Sequence, residues 1–245
     1  MKKLAITLVA MVAFASVAAA QCVTLSALGS AATEDFNTLA SSGTTNTVIP
    51  AGWYFSETGT NTNTQYRADT GALNSGDTYS YGATATAERA FGTLQSGSLI
   101  STIGACFTNS TGSAVNTLTI SYTGEQWRQG GTARFDRLDF QYSIDATSLS
   151  TGTWTDDNTL DFTAPNGGAT VGAYDGNLAA NRTLLSDTIT GLNIASGSSV
   201  WIRWTDFNAL GADDGLAVDD FSITPNASAT PSLKSSWGTL KTLYR

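Results

Sequence analysis

Along several stretches of this chain apolar and polar residues alternate one by one, the period expected of strands with a single buried face. Leu118, Ile120 and Tyr122 alternate with Thr117, Thr119, Ser121 and Thr123. Leu138, Phe140, Tyr142 and Ile144 alternate with Arg137, Asp139, Gln141 and Ser143, and Val200, Ile202 and Trp204 with Trp201, Arg203 and Thr205. Ile103, Ala105 and Phe107 continue the pattern and set Cys106 on the face away from the core. Turn-forming clusters separate the runs: NSGD at 74–77, NSTG at 109–112, PNGG at 165–168 and GADDG at 211–215. No helical stripe emerges before the last dozen or so residues. About a dozen strands over roughly 200 residues predict an all-β fold, a two-sheet antiparallel jelly-roll sandwich.

The two ends depart from this pattern. Met1-Lys2-Lys3, an apolar run from Leu4 to Val17 and Ala18-Ala19-Ala20 have the layout of a signal peptide of bacterial type, cleaved before Gln21. That run is too short for a membrane span, and no later segment is apolar for long enough. Residues 21–224 form the sandwich domain and 225–232 (PNASATPS) a small, polar linker. Beyond it, residues 233–245 carry Lys234, Lys241 and Arg245, whereas no lysine occurs between Ala5 and Leu233. This basic, aromatic tail reads as a sorting or anchoring signal with its own partner. Cys22 and Cys106 are the two cysteines, and export predicts a disulfide between them that pins the new N-terminus to a sheet.

Charge and composition close off several functions. There is no histidine, which removes Ser-His-Asp and Cys-His catalysis and His-ligated zinc. The formal net charge is −8, and without Lys2 and Lys3 ten basic residues face twenty acidic ones. Such a surface repels nucleic acid.

The acids cluster late, at Asp206, Asp213, Asp214, Asp219 and Asp220. Carboxylates this close repel unless neutralised, and an oxygen-rich set without His or Cys suits a structural Ca²⁺. Asp219-Asp220 lies inside an apolar strand, so one carboxylate points inward or the strand bulges. Asp175-Gly176-Asn177 is a weaker oxygen-ligand loop. Glu125 with Asp139 or Asp206 would be a glycosidase-like pair. The more economical expectation is that Glu125, Arg128, Arg137 and Arg203 form ion pairs across one sheet face. Trp127 and Trp201 are the aromatic side chains expected to be exposed for stacking on a sugar, with Glu125 and Arg203 beside them as polar ligand contacts.

The opening EDFNTLASSGTTNTVIPAGWYF and the closing LAVDDFSIT resemble the first and last strands of MAM-like and carbohydrate-binding jelly-roll modules, of concanavalin- or galactose-binding-like fold. From Ala87 to Thr224, segments such as ERAFGTLQSGSL, LTISYTGEQWR and LDFQYSIDATSL resemble an uncharacterised bacterial module of large secreted or surface-anchored proteins, some with nuclease or phosphatase domains. The resemblance implies a binding or scaffolding role. It also implies a calcium ion tying the first strand to the last, through Asp35 and Asp219 or Asp220. The expectation is therefore an exported, non-catalytic sandwich with a binding, adhesion or structural role at the cell surface, its partner a polysaccharide or surface protein. A lectin-like protein is the alternative and a glycoside hydrolase the third reading.

Overall fold

The computed structural model describes residues 21–168 and 170–227. The leader and the basic tail lie outside the described residues. Fifteen strands follow in chain order: β1 (Val23–Leu25), β2 (Ala32–Glu34), β3 (Trp53–Thr58), β4 (Arg67–Asp69), β5 (Asp77–Tyr81), β6 (Ala90–Leu94), β7 (Ile100–Asn109), β8 (Thr117–Gln129), β9 (Arg137–Ser143), β10 (Thr155–Asp156), β11 (Phe162–Thr163), β12 (Gly172–Ala173), β13 (Arg182–Ile189), β14 (Ser199–Asp206) and β15 (Gly215–Asn226). They build two sheets. The first runs β1-β7-β14-β9-β10, with β3 also on β7 and β11 also on β9. The second runs β12-β8-β15-β6-β5-β4, with β13 also on β8 and β2 also on β15.

The jelly-roll expectation of a two-sheet sandwich holds. Two short pairings are parallel, β1 with β7 and β4 with β5. The last strand also runs two residues into the stretch read as linker, since Pro225 and Asn226 pair with Leu118 and Thr117.

Alternation put most of the right residues inward, although Ile144, just past the end of β9, is exposed. Leu118, Ile120, Tyr122, Leu138, Phe140, Val200, Ile202 and Trp204 are all fully buried between the sheets. Aromatic rings fill the middle: Trp53 stacks on Trp204 with centroids 6.2 Å apart and meets Phe221 edge-on at 5.2 Å. Each such side chain removed from water stabilises the sandwich by roughly 1.5–3 kcal/mol.

Cys106 faces outward, and the structure bridges it to Cys22 with Cα atoms 4.6 Å apart. The bridge clips β1 onto the edge of β7, where backbone pairing spans only three residues.

Candidate functional site

Several outward-facing side chains of the second sheet are not left in water. Glu125 and Trp127 alternate outward on β8, as Asp219 does on β15, and all three are buried. Tyr79, Tyr81 and Trp127 stack in a row, with centroid spacings of 4.9 and 5.9 Å. Loops close over this row. Gly71 has φ +81, and a Cβ there would lie 1.8 Å from the Trp127 carbonyl oxygen. Arg128 Nη1 donates to the carbonyls of Gly71 and Ala72 at 3.1 and 3.2 Å, holding that loop down. Gly176 lies against the Trp127 indole with no room for a side chain. The expectation that Trp127 stacks on a sugar is thereby overturned: its parity is outward, but it is only 1% exposed.

Beside this row three acids converge. One oxygen each of Glu88, Glu125 and Asp219 lies within 4.8 Å of the others, and no further group of three acids does so among the described residues. Trp127 Nε1 donates to Glu125 Oε2 at 2.9 Å. Asn177 Nδ2 donates to Glu88 Oε2. Glu88 Oε1, Glu125 Oε1 and Asp219 Oδ1 are buried without a hydrogen-bond partner. Burial foremost, against the Trp127 hydrogen bond, pushes Glu125 up to about 7. Burial and then repulsion from Glu125 push Asp219 up to about 9.

The backbone explains how two adjacent aspartates part company. β15 pairs with β6 through Val218 and with β2 from Phe221 onward, so Asp219 and Asp220 fall where one neighbour gives way to the other. Against β8 the register jumps from Asp219↔Thr123 to Ser222↔Ser121, and Asp220 has φ +49. This bulge, one of the two outcomes read from the sequence, turns Asp219 onto the covered face and leaves Asp220 exposed. Asp220 lines a depression with Thr33, Glu34, Asp35, Phe221 and Ser222. The expected ligand set is therefore divided, with Asp35 and Asp220 in one place and Asp219 in another.

The other late acids go to the end of the sandwich. Arg134 bridges Asp136 at 3.2 Å and Asp214 at 3.3 Å, and Asp214 Oδ2 accepts from Gln126 Nε2 at 2.8 Å. Asp206 Oδ2 accepts from the Thr93 hydroxyl at 2.9 Å. The imagined glycosidase partners are divided between the sheets, Asp139 and Asp206 on first-sheet strands and Glu125 buried on the second, and neither pair lines the depression at Asp220 or the hollow at Trp201. The predicted ion pairs are not those found either. Arg137 pairs with its strand neighbour Asp139, and Arg128 binds carbonyls.

On the outer face of the first sheet, Tyr54 and Trp201 meet at 5.2 Å. They line a hollow of about 270 Å³ with Phe55, Ser56, Leu149 and the hydroxyl residues Thr147, Ser148 and Ser150. Trp201 is 3% exposed, so it is the floor of the hollow and not the projecting platform expected. Leu149 and Ala146, from the loop after β9, pack over it. Arg203 fastens that loop: Nη1 donates to the Leu149 carbonyl at 2.6 Å and Nε to Gln141 Oε1 at 2.7 Å. Its guanidinium lies 4.0 Å over Trp154. Tyr54 stays half-buried, its hydroxyl donating to the Gln21 carbonyl at 2.8 Å. Sequence parity set Trp201 on this face but carried no sign of Tyr54 beside it or of the loop that shapes the hollow.

No protein-family model matches the chain, and no curated protein is significantly similar to it. Solved structures similar to it include the enzymatically active domain of tailspike protein 4 of bacteriophage CBA120, at 8% identity and TM-score 0.37 over 78% of this chain. The chain spans only 21% of that tailspike. The CBM22-1 xylan-binding domain of Paenibacillus barcinonensis Xyn10C is similar at 14% identity and TM-score 0.38, over 83% of this chain and 99% of that domain. The K3 cleaved adhesin domain of Lys-gingipain from Porphyromonas gingivalis is similar at 12% identity and TM-score 0.39, over 71% and 92%. No helix among the described residues is long and apolar enough to cross a membrane.

Proposed function

We propose that the chain is an exported, non-catalytic binding module that takes a polysaccharide in the Tyr54–Trp201 hollow. The observation that carries this reading is the hollow itself: an aromatic floor, with Ser56, Thr147, Ser148 and Ser150 around it, on a face otherwise closed by a packed loop. A pyranose presents an apolar ring face and a hydroxyl edge, and an aromatic side chain beside hydroxyl groups answers both. The non-catalytic part rests on the acids: Glu125, Asp206 and Asp219 are buried, and none lines the hollow.

Affinity electrophoresis through gels containing soluble xylan, galactan, arabinan or dextran tests the reading. At least one polysaccharide should retard the protein, and Tyr54→Ala should weaken that retardation at least about tenfold, as loss of a stacked ring does. Equal retardation of wild type and variant, or none in any gel, would refute it.

A further inference from the structure

Three carboxylates, each with one buried oxygen lacking a hydrogen-bond partner, converge on the covered face of the second sheet, and among the described residues no arginine is paired with them. None of the ion pairs among the described residues includes Glu88, Glu125 or Asp219. Arg182 is Glu125's register partner but is exposed to solvent. Arg89, next to Glu88, acts on it by charge but makes no ion pair with it, its Nε donating to the Ser80 hydroxyl at 2.9 Å and its Nη2 to the Asp69 carbonyl at 3.3 Å. Asp220 adds a further negative charge close by. Glu125 and Asp219 are 0% and 5% exposed, so water does not screen them. Leaving buried acceptors unmatched is costly unless a ligand fills the gap.

We propose that Glu88, Glu125 and Asp219 bind a divalent, oxygen-preferring cation of the calcium class. The donor set is all carboxylate, as a hard ion prefers, with no imidazole or thiolate to attract a transition metal. Glu88 and Glu125 each already have one oxygen fixed by a donor, Asn177 Nδ2 and Trp127 Nε1. Such outer hydrogen bonds aim the other oxygen, the usual arrangement around a metal. The seat is distinct from the depression shared by Asp35 and Asp220 at the junction of first and last strands. It would join β8 and β15 to the Glu88 loop directly and to the Asp175–Asn177 turn through Asn177, the same turn singled out in the sequence as an oxygen-rich loop.

The test is thermal melting of the disulfide-bonded protein at neutral pH in excess chelator and with calcium chloride, plus terbium luminescence excited through tryptophan. With calcium about 100-fold above its dissociation constant, the wild-type midpoint should rise by roughly 5–10 °C. Terbium should give sensitised emission, since Trp127 touches a ligand. Glu125→Gln/Asp219→Asn should lose the calcium shift and the emission, while Asp35→Asn/Asp220→Asn keeps both. Glu88 sits on a loop, so Glu88→Gln remains informative if the buried double variant does not fold, and its calcium affinity should fall at least about tenfold. A wild-type protein indifferent to calcium overturns the proposal. So does a shift that survives Glu125→Gln/Asp219→Asn, or an unchanged affinity in Glu88→Gln.

Discussion

Asp206 ends β14 with its side chain facing the interior, where Thr93 satisfies one oxygen and the other has no hydrogen-bond partner. Burial above all, and then the neighbouring Asp136, hold its carboxyl well above the usual range. Asp136, itself fully buried, is pushed up to about 6, by burial first and by Asp214 after offsetting hydrogen bonds. A carboxyl whose pKa is raised by folding binds its proton more tightly when folded. The stability it contributes is complete below the unfolded pKa near 4 and is lost as pH rises through the folded value. For Asp136 that window runs from about 4 to about 6, and the loss is on the order of 2–3 kcal/mol. Urea denaturation in chelator at pH 4.5 and pH 7.5 should find the protein less stable at the higher pH. Asp206→Asn, which keeps an acceptor for Thr93 without a proton to lose, should narrow that difference and melt higher than wild type at pH 7.5. A variant equally destabilised at both values would contradict this. At this scale the sequence was half legible. The Asp219-Asp220 pair signalled either an inward carboxylate or a bulge, because adjacent residues of a regular strand face opposite sides. Glu88 gave no signal, because it sits on a loop 37 residues before Glu125 and only the folded chain brings them together.

Three long strands, β7, β8 and β15, organise the elements. Each shares one edge between two shorter strands: β1 and β3 on β7, β12 and β13 on β8, β2 and β6 on β15. Alternation made the long strands readable, since their inner faces are continuous. The short edge strands have two or three residues and too little period to detect. The loops that cover the second sheet were equally silent, yet they decide which outward residues are wet. Gly71 is where that covering is tightest, and the atoms a Cβ would strike belong to backbone at Trp127, which cannot step aside. Gly71→Ala should therefore cost about 3 kcal/mol or more, from the positive φ and the clash together. A denaturant midpoint unchanged within error, with an unaltered near-ultraviolet dichroism of Trp127, would show that the loop can lift without penalty.

Across the whole molecule, acids that lie close in sequence separate into three neighbourhoods: an arginine-bridged end, an exposed depression and a covered triad. This dispersal lets a chain with seven arginines and no lysine between Ala5 and Leu233 carry twenty acids. The Cys22–Cys106 bridge acts at the same scale, with a sequence separation of 84. Tension applied between the two ends of the chain would enter at Cys22 and cross the sulfur–sulfur bond directly into β7. The stretch from β1 to the middle of β7, including all of β2 to β6, would stand outside the load path, like a coil bypassed by a shunt. Pulling single molecules apart in an optical trap should release roughly 300 Å less contour length in the oxidised protein than in the reduced one, given about 3.6 Å per residue. Equal extensions would mean the bridge carries no force. A chain loaded in this way would keep β2 to β6 inside one closed covalent loop even while its C-terminal half unravelled.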